Sequence, residues 1–196
     1  MGRQISWGEY KKSPLDKVIE KLRILKVAKH IKSNVKLLDL GCGYEATFLN
    51  LISNKIKEGV GMDISVNKDK TSGKISLIKG RVDKNIKLPS NHFDVITSLA
   101  LIEHVQYPNK MLKEAYRLLR KKGVLMLTTP SQRSQHLLEF LAFKLRIISN
   151  HELKDHKRYY SADVLLKSLI DSGFKKNNIK IQSFEFGLNL FAKAIK

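Results

Sequence analysis

Apolar positions change their period several times along the 196-residue chain. Leu15, Val18, Ile19, Leu22 and Leu25 recur at three- and four-residue spacing, which predicts an amphipathic helix over 14–31, with Pro14 suited to its first turn. The run 35–40 is short, apolar and stops at Gly41, the pattern of a buried strand that ends in a glycine turn. Phe48, Leu49, Leu51 and Ile52 belong to a following helix. Further strands are predicted at 59–64, 75–78, 93–98 and 124–128, with a helix over 109–119 between the last two. Helical spacing returns at 135–147 and at 162–172, where Gly173 supplies a stop. Two closing strands, 179–184 and 189–195, are joined through Gly187.

Strands that alternate with helices imply a mostly parallel sheet covered on both faces. The last two strands have no helix between them and must pair as a hairpin, which brings one antiparallel strand into the sheet. The expected fold class is therefore α/β: a Rossmann-like three-layer sandwich on a seven-stranded sheet, with 1–196 as a single domain. Hydrophobic residues at 42% and charged residues at 28% suit a globular chain and exclude disorder as the default.

The formal net charge of +19 modifies this picture. It comes from 29 Lys and 8 Arg, spread from Lys11 to Lys196 rather than gathered in one block. Two explanations stand: a compositional bias of the coding sequence, or an anionic partner such as nucleic acid or a membrane surface. The single cysteine, Cys42, forms no internal disulfide, and the six histidines show no zinc-ligand spacing. No uncharged apolar run approaches the ~18 residues of a membrane span, and the N-terminus is polar, so a cytoplasmic protein is expected.

The strongest chemical signal lies in Leu38-Asp39-Leu40-Gly41-Cys42-Gly43. A strand that ends in Gly-x-Gly lets backbone approach a ligand closely, and ligands of open α/β sheets sit at the strands' carboxyl ends. About twenty residues on, Asp63 closes the second strand, where a carboxylate accepts the two hydroxyls of a ribose. Together these point to an adenosine-containing cofactor. Asp39, two residues before the first glycine, repels a pyrophosphate and attracts a sulfonium or amino group, which favours S-adenosyl-L-methionine over a dinucleotide.

The segments 37–49, 61–65, 91–96, 101–105 and 118–130 occur in the order and spacing of class I S-adenosylmethionine-dependent methyltransferases, and the chain resembles their small-molecule branch, which includes ubiquinone-type and polysaccharide-biosynthesis enzymes. The resemblance implies the methionine part over Gly41, Cys42 and Gly43 with Asp39 nearby. It implies the ribose on Asp63, the adenine near Ile64, Arg81 and Val82, and Leu99 lining the cofactor. The family's third loop glycine is absent here; Glu45 and Ala46 stand in its place. Some relatives bind a divalent metal through Glu-x-x-Glu-His, but Ala100 replaces the first Glu before Glu103 and His104, so no metal is expected.

Methyl transfer to a hydroxyl gains from a general base, and histidine is the usual one. His104 and His156 are the candidates, His104 by its place after the fourth strand and His156 by its polar, aromatic surroundings. Tyr159 and Tyr160 are candidate substrate contacts in the insertion 131–160, a usual place for substrate lids in this family. The same residues also read as a structural helix start and as a solvated loop whose Ser161 caps the next helix. The apolar, charge-bearing 136–148 suits a core helix, a dimer surface or an interfacial helix at a membrane. No Asp/Asn-Pro-Pro-Tyr/Phe follows the fourth strand, and Cys42 sits in the cofactor loop, which argues against nucleobase methylation. The expected activity is O-methylation of a small-molecule or glycan- or lipid-linked acceptor. The alternatives are an RNA or protein methyltransferase that uses the basic surface, and a degenerate cofactor-binding module.

Overall fold

The computed structural model describes Ser6 and residues 14–71, 73–134 and 158–196. Seven strands form one sheet: β1 (Val35–Leu40), β2 (Ile56–Asp63), β3 (Ile75–Lys79), β4 (Phe93–Leu99), β5 (Leu119–Pro130), β6 (Ile179–Phe184) and β7 (Asn189–Ile195). The described helices are α1 (Pro14–Ala28), α2 (Thr47–Leu51), α3 (Pro108–Leu118) and α4 (Ala162–Asp171). The predicted helix over 135–147 lies outside the described residues.

The sheet order is β3-β2-β1-β4-β5-β7-β6. β1 pairs in parallel with β2 and with β4, while β7 runs antiparallel to both β5 and β6. The chain therefore winds outward from β1 to β3, then returns to β4 on the other side of β1. That reversal opens a crevice at the carboxyl ends of β1 and β4, where ligands bind in such sheets.

Strand alternation divides the core between two faces. Leu37 joins the cluster under α1 and α2 with Val27, Phe48 and Leu49, whereas Leu38 and Leu40 join the cluster under α3 and α4 with Leu112 and Leu165. Each fully buried aliphatic side chain of this kind contributes about 1.5–3 kcal/mol. α3 has Pro108 in its first turn and buries Met111, Leu112, Ala115 and Leu118, a helical stripe. Ser161 caps α4, its side chain accepting from Val164 N at 3.2 Å.

Three boundaries depart from the sequence pattern by three residues or more. β2 begins at Ile56 rather than at 59. α1 ends three residues earlier, at Ala28. β5 begins at Leu119 rather than at 124, directly after α3. Leu119 pairs with Phe93, the register then shifts, and Val95 pairs with Val124. Lys122 takes φ 64° in that irregularity. At Gly123 a Cβ would lie 2.9 Å from Arg120 O and 3.0 Å from Phe93 O, so only glycine fits. The polar run Arg120-Lys121-Lys122 hid this extension.

The chain segments on either side of 135–157 meet at their roots. Ser131 and Tyr160 form a parallel bridge, Gln132 N donates to Tyr160 O at 2.9 Å, and Ser131 Oγ donates to Gly187 O at 2.6 Å. Among the described residues no helix is long and apolar enough to cross a membrane.

Candidate cofactor and active site

The glycine loop after β1 is held by β2. Gly41 N donates to Met62 O at 2.8 Å, and Gly41 and Gly43 take φ 76° and 74°. A Cβ on Gly41 would meet Leu101 Cδ1 at 2.7 Å, so the loop and the segment after β4 touch because Gly41 has no side chain. Asp63, 3% exposed at the end of β2, completes the loop. Its Oδ2 accepts from Gly43 N at 2.9 Å and its Oδ1 from Ile64 N at 2.7 Å.

Asp39 sits behind the loop, 2% exposed, and the Thr97 hydroxyl donates to its Oδ1 at 2.7 Å. Burial pushes the Asp39 pKa up to about 7; the Thr97 hydrogen bond opposes this rise and the nearby Asp63 carboxylate adds to it. Cys42 is buried, its Sγ donating to Gly43 O at 3.4 Å. Burial, with Asp39 and Asp63 beside it, drives its thiol pKa far above the ordinary range, so it is no nucleophile.

A cleft opens at this edge, between the loop after β1, the segment after β3 and the segment after β4. Of the residues singled out in the sequence, Gly41, Asp63, Ile64, Arg81, Val82 and His104 line it together. Asp39, Cys42 and Gly43 form the layer behind it rather than its lining. Leu99 packs against the apolar cluster under α1 and α2. Ala100 takes φ 48° just after it, and Leu101 rather than Leu99 reaches the cleft beneath Gly41. A break in strand alternation of this kind leaves no mark on the pattern of apolar residues.

Gly80, Asp83, Leu101, Val105 and Gln106 also line the cleft and were not anticipated. Asp83 is 3% exposed and holds Arg81 by two bonds, 3.0 Å to Nε and 2.8 Å to Nη2. The signal available for it was an acid three residues past the glycine that ends β3. Asp83 Oδ2 also accepts from Tyr107 N at 3.3 Å.

On the substrate side, His104 is 2% exposed and its backbone N donates to Leu101 O at 2.9 Å. Glu103 is fully buried and its Oε2 accepts from Thr129 Oγ1 at 3.0 Å. Among the described residues no three His, Cys, Asp or Glu side chains gather as a metal site. Tyr160, read as a substrate contact, is 2% exposed in the core; burial pushes its hydroxyl up to about 12. Tyr159 is half-buried next to it. Arg158 turns to the loop after β4: Nη1 donates to Val105 O at 2.8 Å and Nη2 to Gln106 O at 3.3 Å. His156 and the segment 136–148 lie outside the described residues.

The residues present fit adenosylmethionine. The carboxylate of Asp63 offers about four acceptor positions and uses two on backbone N–H groups, which leaves room for a ribose diol. Gly41 lines the same cleft as Asp63, with Leu101 packed where a Cβ would stand.

A methyltransferase-domain family profile matches residues 10–178. An uncharacterised protein of Haemophilus influenzae is 30% identical over 123 residues, 57% of this chain, and the chain spans about half, 48%, of that relative. A ubiquinone biosynthesis O-methyltransferase of Pelagibacter ubique is 26% identical over 185 residues, 89% of this chain and 72% of the relative. The crystal structure of an S-adenosylmethionine-dependent methyltransferase from Archaeoglobus fulgidus superposes with a TM-score of 0.69 at 19% identity, covering 91% of this chain and 94% of that one, a likeness of fold. The sheet order, the glycine loop with its two carboxylates and the match over 10–178 agree: the chain belongs to the S-adenosylmethionine-dependent methyltransferase family, on the class I fold.

Proposed function

We propose that the protein transfers a methyl group to a hydroxyl of a small-molecule or glycan- or lipid-linked acceptor, with His104 as general base. The observation that carries this reading is the position of His104, buried to 2% yet lining the same cleft as Gly41 and Asp63. Bound adenosylmethionine supplies an activated methyl on a cationic sulfur. Asp63 binds the ribose hydroxyls, and Arg81 and Val82 border the adenine. Gly41, with Leu101 below it, sets how deep the ligand sits. An imidazole nitrogen of His104 would take the acceptor proton as the oxygen–carbon bond forms and the methyl carbon–sulfur bond breaks, its electron pair leaving on sulfur; general-base catalysis rewards this with about 10²–10⁴-fold in rate. Alignment of the acceptor in the cleft supplies the rest. The similarity to an O-methyltransferase of Pelagibacter ubique supports a hydroxyl acceptor.

One observation favours a second reading, a polyanionic acceptor such as RNA. A groove that shares Arg81, Asp83 and Gln106 with the cleft is also lined by Lys84, Lys110 and Lys113. Its acids are already engaged, Asp83 by Arg81 and Glu114 by Arg117.

The test is a methyl-transfer screen with labelled cofactor over hydroxyl-bearing small molecules, lipid-linked glycans and RNA. With the acceptor found, His104→Ala is expected to lower turnover by about 10²–10⁴-fold and adenosylhomocysteine affinity far less. Wild-type turnover of His104→Ala across pH 6 to 9 would remove His104 as the base.

A further inference from the structure

We infer that Arg158 is a positioning residue for the cofactor: it fixes the wall of the cleft formed by Val105 and Gln106, and thereby sets how tightly the adenosine end is held. The inference rests on the reading of this cleft as the adenosylmethionine site.

The wall is a short irregular stretch between the end of β4 and the start of α3. Regular secondary structure does not hold it, so its position depends on side chains that reach its backbone. They come from two directions. From the cleft floor, Asp83 accepts from Tyr107 N at 3.3 Å, and Arg81, locked on Asp83, reaches Gln106 Oε1 at 3.4 Å. From the opposite end of the chain, Arg158 donates to Val105 O at 2.8 Å and to Gln106 O at 3.3 Å. A guanidinium presents several donors in a fixed plane, so one side chain bridges two successive carbonyls where a lysine ammonium cannot match the fork. Arg158 is two residues from Tyr160, whose backbone is pinned to Pro130 and Gln132, so the guanidinium works from an anchored base.

Two consequences distinguish this role from an acceptor-binding one. The guanidinium donors that face the cleft wall are spent on carbonyls, so Arg158 acts on cofactor affinity before any acceptor is present. Arg158 is also exposed, so its contacts with the wall are open to competition. Anything there that draws it off the wall weakens the cofactor, and by linkage the cofactor resists it by the same factor.

The experiment is calorimetric binding of adenosylhomocysteine, and of methylthioadenosine, which lacks the amino-acid end, to the full chain and to Arg158→Ala and Arg158→Lys. Arg158→Ala is expected to weaken both ligands about tenfold, the worth of one charge-assisted hydrogen bond. Arg158→Lys is expected to fall between wild type and Ala. Unchanged binding by Arg158→Ala overturns the inference, and so does a loss confined to adenosylhomocysteine. If Arg158→Ala fails to fold, wild-type affinity in Arg158→Lys overturns it instead. Asp63→Ala run alongside separates the two levels: if it too leaves binding intact, the cleft is not the adenosine site; if it alone weakens binding, only the role of Arg158 falls.

Discussion

The carboxyl edge of the sheet carries two kinds of buried polar group. Over β1, β2 and the segment after β3 they are acids: Asp39, Asp63 and Asp83, exposed by 2–3%. At the ends of β5 and β7 they are mostly neutral: Thr128, Thr129, Ser131, Ser134 and Asn189. A buried hydroxyl satisfied by a neighbour is self-sufficient, whereas a buried carboxylate carries a desolvation cost that only donors or cations offset. The neutral side is a joint: Ser131 and Ser134 bond to backbone and tie the strand ends together. The acidic side keeps acceptor capacity that the chain itself does not use up. One side of the edge is thus satisfied within the chain, and the other keeps acceptors open.

Asp63→Ala is expected to test that contrast most strongly. It removes the ribose acceptor, roughly 1.5–3 kcal/mol for each charge-assisted hydrogen bond lost, and so weakens adenosylhomocysteine at least tenfold. The structure adds a second effect. Gly43 N and Ile64 N lose their acceptor, which costs about 1–3 kcal/mol of stability, so the variant should also melt lower. Thr129→Val on the other side should lower the melting temperature and leave cofactor affinity within about twofold. Equal losses of affinity in the two variants, by calorimetry, would erase the distinction between the two sides.

How far the sequence revealed this edge depends on whether a residue acts through its own type or through the path of the backbone. The placement of Asp63 beside the Gly41–Gly43 loop was legible because strand periodicity located the strand ends. β1, β6 and β7 were read with the bounds they have, since each is a continuous run closed by turn residues. Leu101 was missed because φ 48° at Ala100 changes which side chain faces the cleft. Asp83, Val105 and Gln106 were missed because they lie in irregular loops whose positions come from long-range contacts such as the one with Arg158. The burial of Tyr160 was not legible from its polar, aromatic surroundings; its bridge to Ser131 draws it into the core.

A smaller effect is expected from pH. The Asp39 pKa is raised to about 7 by burial, well above its ordinary value. A raised carboxyl pKa means that the protonated form is favoured in the folded chain. Its contribution to stability is fully present below the unfolded value near 4 and is lost as pH rises through about 7. Cofactor affinity should move the opposite way, because a ligand cation beside Asp39 favours the ionised form. Adenosylhomocysteine binding should therefore strengthen several-fold from pH 6 to pH 8, by less than the roughly tenfold per unit of a single proton. Asp39→Asn should flatten both the melting profile and the binding profile across that window. Binding by the wild type that weakens toward pH 8 would place the ligand's cation elsewhere.

The smallest effect concerns Ala46, which stands where relatives carry a third glycine. Its φ of 47° and ψ of 41° are left-handed, so the loop follows a glycine path with an alanine in it. Three terms decide what Ala46→Gly does. Relief of the left-handed conformation favours glycine by about 1–2 kcal/mol. The greater freedom of glycine in the unfolded chain opposes this by roughly 0.5–1 kcal/mol. The methyl group is fully buried in the cluster under α1 and α2, and its loss costs about 0.8 kcal/mol more. The sum lies near zero, so the melting temperature should shift by no more than about 2–4 °C. Adenosylhomocysteine affinity should also stay within about twofold, because the loop already holds its backbone bonds to Met62 and Asp63. Ala46→Val should behave differently, since a β-branched residue tolerates this region poorly and the site has no space for it. If Ala46→Gly instead tightened cofactor binding tenfold or more, the alanine would be restraining the loop, and the case for a chain drifting away from catalysis would gain weight over that for an active methyltransferase.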